Sequence, residues 1–125
     1  MKEKDAGGRK EVIYSYTAEQ AMEDGILIEI DPQLRKEAGY YWPVRITQGV
    51  AALVTPTEEE KSQGQSQEGR LWDVLWMARV AINNADPCDY IVPFDVILGE
   101  KTVQLWACID TTSGPAIHII RPEEY

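Results

Sequence analysis

The chain has 125 residues, with 12 Lys+Arg against 21 Asp+Glu and a formal net charge of -9. That length fits one domain, and a hydrophobic share of 44% is enough for one packed core and excludes a disordered acidic tail. An acidic surface of this kind excludes a nucleic-acid backbone as direct partner, which needs clustered Lys and Arg, and no apolar run reaches the ~20 residues that span a bilayer.

Residues 1–11 are charged and have no hydrophobic segment behind them, so they read as a flexible, solvated arm rather than a signal peptide. The fold is expected over 12–125 as a single α+β domain. Val12–Tyr16 is an extended entry. Thr17 then offers an N-cap, with Gln20 three residues on to complete a capping box, for a helix Ala18–Asp24 stopped by Gly25. Ile26–Ile30 is β-branched and apolar, a strand. Asp31-Pro32 opens a second helix, an Asp cap followed by Pro where a missing N–H costs nothing, and Gly39 ends it after Ala38.

Tyr40-Tyr41-Trp42-Pro43 is an aromatic connector, and Pro43 keeps Trp42 out of helical conformation. A third helix is expected over Arg45–Val54 with Val50, Leu53 and Val54 inward. Residues 55–69 carry no large apolar side chain and read as a polar loop with one helical turn at Glu58–Ser62. Arg70–Ala85 is the strongest helix: Leu71, Val74, Leu75, Ala78 and Ile82 share one face. Trp72 and Trp76 form a second stripe, widened by Met77 and Val80, so this central helix is expected to be covered on more than one side.

The remainder reads as β. A strand at Tyr90–Leu98 contains Pro93, which assigns it to an edge or a bulge. Gly99-Glu100 turns into Lys101–Asp110, and Thr111–Gly114 turns into Ala116–Arg121, closed by Pro122. Tight links between three strands make an antiparallel meander, and Ile26–Ile30 is a candidate fourth strand. The expected fold is α+β, with short helices and one central helix packed on an antiparallel sheet of three to four strands.

Ile13-Tyr14-Ser15-Tyr16-Thr17, Gln20-Ala21, Asp24-Gly25, Trp42-Pro43-Val44 and above all Gly69-Arg70-Leu71-Trp72-Asp73-Val74-Leu75-Trp76-Met77-Ala78 together carry a resemblance. Over roughly residues 12–121 the chain resembles a family of small prokaryotic proteins classed as a domain of unknown function, found in chromosomes, plasmids and phage-like elements. The family implies no catalytic role. Gln48–Ala52 departs from its pattern, where a bulkier segment, often with Trp, is usual.

No spacing in the chain marks a catalytic centre. His118 is the only histidine and sits between Ile117 and Ile119 on the last strand, where a satisfied strand His is the plain reading. Cys88 and Cys108 fit neither a C-x-x-C pair nor a zinc site, so a reduced, cytoplasmic chain is the default, with a disulfide between them geometrically open. No metal or cofactor is implied. Glu68 and Asp73 flank the central helix's start as a possible acid pair, although Glu68 also simply favours the helix N-terminus.

Arg70 and Asp73 are three apart and could pair. Trp72, Trp76 and Arg79 fit either core packing, the default for the tryptophans, or the aromatic-and-arginine patch that dominates protein interfaces. Trp106 points away from the face lined by Val103, Leu105 and Ile109, so it is either covered or available for contact. Two functions follow. One is a non-enzymatic protein-interaction module with a protein partner, a homodimer being open, in the specific version of a phage- or plasmid-borne accessory acting on a host protein. Residues 81–125 hold 2 basic against 7 acidic side chains and would give that module an acidic docking sheet. The other is a small enzyme or ligand-binding domain with a pocket between central helix and sheet, drawing on Tyr16, Arg70, Asp73 and His118.

Overall fold

A computed structural model describes residues 27–111 and 114–125; the extended entry, the helix at Ala18–Asp24 and Tyr16 lie outside them. The elements run β1 (Leu27–Glu29), α1 (Pro32–Glu37), β2 (Val44–Thr47), α2 (Gln48–Val54), α3 (Glu58–Ser62), α4 (Gln67–Asn84), β3 (Ile91–Leu98), β4 (Lys101–Asp110), β5 (Ala116–Ile120) and a 3-10 turn at Pro122–Glu124. This is the expected α+β class, with the C-terminal meander in place.

The sheet is wider than the meander. Five strands lie in the order β1-β2-β5-β4-β3. The pairs β3–β4, β4–β5 and β1–β2 are antiparallel, whereas β2 runs parallel to β5 with Arg45 opposite His118. The third helix expected from Arg45 is therefore shorter, and Arg45–Thr47 belongs to a strand. Thr47 divides the two elements. Its backbone is extended, and its hydroxyl accepts the Val50 amide at 3.2 Å as the N-cap of α2.

Residues 55–69 also differ from a long loop. α3 has the bounds read from the sequence and is closed by a Thr57–Glu60 capping box. α4 starts three residues earlier than expected, because the Ser66 hydroxyl accepts the Gly69 amide.

One core lies between the helices and one face of the sheet. Leu34, Tyr40, Val50, Val54, Val74, Leu75 and Ala78 meet Val44, Ile46, Val92, Phe94, Val96, Leu105, Ala107, Ile117 and Ile119 there. β5 is buried at all five positions, as a central strand covered on both faces must be. β3 is an edge strand, and Pro93 on it withholds a donor from any further pairing.

The chain's end is tied back onto α2. The Glu124 carboxylate accepts from the Thr47 hydroxyl at 2.8 Å and from the Arg121 amide at 2.7 Å. Gly49 lies directly beneath, where any Cβ would collide with the Glu124 carboxylate and Arg121 Cδ. A side chain at this position would have to displace the Glu124 and Arg121 side chains that tie the chain's end down. Thr47→Val removes the cap and the link to Glu124 together and is expected to cost about 1–2 kcal/mol in urea denaturation, with Thr47→Ser recovering most of it.

Candidate functional site

α4 is apolar around much of its circumference, so which residues it buries sets what it presents. Arg70, Val74, Leu75 and Ala78 are inside. Arg70 is only 8% exposed because its guanidinium is almost fully occupied. Nε and Nη2 donate to Gln65 Oε1, Nη1 donates to Leu53 O at 3.2 Å, and Nη2 meets Glu60 Oε2 at 3.0 Å. The β3–β4 turn closes over this clamp at Gly99, which has a φ of +67° and where an added Cβ would lie 3.1 Å from Arg70 Nη2 and 3.2 Å from Glu60 Oε2, so that glycine is favoured. Glu60 is held below the usual carboxylate range, first by the Thr57 amide and then by Arg70. The expected Arg70–Asp73 pair is not formed; Asp73 is exposed. Arg70 sits four residues before Val74 and eight before Ala78, which puts it on the buried side of α4, a signal that the pairing expected with Asp73 overlooks.

The opposite side of α4 is a surface. Trp72 and Trp76 are 36% and 44% exposed, with Met77 and Val80 at 38% and 39%. The tryptophans are therefore not core, and α4 is not covered all round, contrary to the expectation from its apolar circumference. Their rings stack with centroids 6.4 Å apart and planes 13° apart, and the Arg79 guanidinium lies 5.7 Å from the Trp76 ring centre.

Arg79 also links this face to the loop after α1. A Cβ on Gly39 would come within 2.7 Å of Arg79 Nε, and Gly39 has a φ of +95°. That loop is pinned. The Tyr40 hydroxyl donates to Leu75 O at 2.7 Å, and Arg35 Nη1 donates to Tyr40 O and Tyr41 O. Burial pushes the Tyr40 phenol well up, against the opposing pull of Arg79. Beyond it Tyr41 and Trp42 are exposed. The aromatic connector expected at Tyr40–Pro43 is therefore buried at Tyr40 and exposed at Tyr41 and Trp42.

The other sequence-predicted residues lie elsewhere. Trp106 is on the far face of the sheet, paired with Pro93 and Ile120 in register and 5.5 Å from the Tyr125 ring. His118 is buried on that same face, in a cross-strand row running Glu29, Arg45, His118, Cys108. Its Nε2 is 3.4 Å from Arg45 Nη1 and 3.7 Å from Asp110 Oδ2. Burial, aided by Arg45 and opposed by Asp110, lowers its pKa. Cys88 is exposed, Cys108 is buried, and no disulfide joins them. Among the described residues no cluster of His, Cys, Asp and Glu is arranged to hold a metal, and no helix is long and apolar enough to cross a membrane.

Arg70 inside the clamp, Asp73 on the outer face and His118 beyond the sheet do not converge. Where α4 meets the sheet, Val74, Leu75, Ala78, Leu105 and Ile119 are completely buried. The chain matches no family model, no curated protein and no solved structure.

Two outcomes check this geometry. Arg70→Leu is expected to lose about 3 kcal/mol of stability by denaturation, and Arg70→Lys to recover little, since a point ammonium cannot reproduce the guanidinium fork. For His118, a depressed folded-state pKa means the unfolded chain binds the proton more tightly. Its contribution is therefore full above the ordinary histidine value of 6.5 and is lost as pH falls below it. The urea midpoint should drop from pH 7 toward pH 5.5, and His118→Gln should flatten that slope, with the single imidazole's own titration followed by NMR.

Proposed function

We propose that this is a non-enzymatic protein-interaction module that binds a protein partner through the outer face of α4. The observation that carries the reading is the stacked Trp72–Trp76 pair standing at the surface with Arg79 against it. Water-exposed indoles are costly to maintain in isolation, and a contiguous apolar patch on a small domain marks a contact surface. Trp and Arg are the residues that supply most binding energy in interfaces, through area and desolvated cation contacts.

The stiffness of the patch adds support. It stands on an 18-residue helix whose roll is held by the Arg70 clamp, and its neighbouring loop is held by Tyr40 and Arg35. A preordered surface loses little side-chain entropy on binding. The net charge of -9 argues for a protein rather than a nucleic-acid partner. The resemblance to proteins of plasmids and phage-like elements makes a host protein the specific version of that partner in a prokaryotic, cytoplasmic setting.

A photo-crosslinking side chain placed at Met77 of the full chain tests this. One adduct of defined mass is expected, and it should vanish in the Trp72→Ala/Trp76→Ala double variant. That variant should unfold within about 1 kcal/mol of the parent, as for surface positions, whereas buried tryptophans would cost about 3–5 kcal/mol each. No adduct, or an adduct that survives the double substitution, overturns the proposal.

A further inference from the structure

The arrangement of charges around Trp76 specifies one occupant for this face. At 100° per residue, the outer side of α4 is centred on Trp76, with Gly69, Trp72, Asp73, Arg79, Val80 and Asn83 flanking it. These fall in pairs equidistant from residue 76: Asp73 with Arg79, Trp72 with Val80, Gly69 with Asn83. We propose that the outer face of α4 binds a second copy of this chain, the two helices running antiparallel about a two-fold axis at Trp76. This rests on the reading of the face as a protein-binding surface and names its partner.

In a two-fold contact each residue before the axis meets the level of the residue equally far after it on the other copy. The two Trp76 rings then meet at the centre. Trp72 lies level with Val80 of the second copy, and Asp73 lies level with its Arg79, about 4.5 Å along the helix from the axis. Both apolar and charged pairings occur twice, on either side of the tryptophans.

Among the described residues neither charge has a hydrogen-bond or ion-pair partner: Asp73 is exposed, and the half-buried Arg79 guanidinium rests between the Trp76 ring and Gly39. Two copies at -9 each repel over most of their surfaces. The stripe centred on Trp76 carries one acid and one base and is therefore neutral and self-complementary. It is the part of α4 where two such acidic molecules can approach closely.

Sedimentation of the full chain from about 1 to about 300 µM, the range suited to an interface of one helix face, is expected to show a reversible monomer–dimer equilibrium. Trp76→Ala should be monomeric. Asp73→Arg and Arg79→Asp should each weaken the dimer at least about tenfold by placing like charges level with one another. Mixed in equal amounts, these two variants should pair with each other as tightly as the parent pairs with itself, because the copy with two cations then faces the copy with two anions. Circular dichroism confirms that each variant is folded, and if Trp76→Ala is not, the charge exchange alone decides.

A parent that stays monomeric across the range, single charge variants that dimerise like the parent, or a mixture that does not re-pair overturns the inference. The crosslinking result separates this from the broader reading. An adduct with a different protein from a monomeric chain overturns only the second copy, and no adduct at all overturns both.

Discussion

A buried arginine decides how this molecule presents itself. α4 is hydrophobic over so much of its surface that the hydrophobic effect, which is non-directional, sets its roll only weakly. Arg70 sets it strongly, because a guanidinium taken out of water must have its donors satisfied. Leu53 O at the end of α2, Gln65 in the link to α4 and Glu60 on α3 meet that need at one point, beneath the turn at Gly99. With Arg70 turned inward, Val74 and Ala78 follow it into the core and Trp76 must face out. The clamp therefore holds three connected segments together and, at the same time, aims the aromatic face at solvent.

The two sides of the sheet are built on different physics. The helix side is an apolar core, stabilised by area removed from water. The far side carries a polar row, Glu29–Arg45–His118–Cys108, that is buried at His118 and Cys108 and opens to solvent at Glu29, with Asp110 beside His118. Such a row depends on partners being present, since each buried polar group is expensive alone. It lies across β1, β2, β5 and β4, so it reports on strand register: a one-residue slip of β2 against β5 would exchange Arg45 for Val44 or Ile46 opposite His118. The parallel β2–β5 pair is thereby fixed by both its faces.

Much of the fold was legible where local chemistry decides. Pro32 and Gly39 bracket α1, although the Asp31 side chain makes no capping hydrogen bond, Thr57 and Glu60 close α3 with a capping box, and Gly99-Glu100 and Pro122 delimit the meander, because caps and turns act within a few residues. β2 was not legible. Val44–Thr47 is short, no turn separates it from α2, and Thr47 is both its last residue and the helix cap, so its apolar residues merge into the helical pattern that follows. Its partner β5 lies some seventy residues away, and nothing local announces a parallel pairing over that distance.

The candidate surface divides the same way. The amino-acid sequence by itself determined that Trp72, Trp76 and Arg79 share one stripe of a helix, that the chain carries a net charge of -9, and that α+β elements surround a single core. Only the tertiary structure decided that this stripe faces water. Periodicity states which side chains lie together on a helix, and in an amphipathic helix it also states which side is buried. In α4 both sides are apolar, so the choice falls to one set of hydrogen bonds from Arg70 to groups that come together only once the chain has folded.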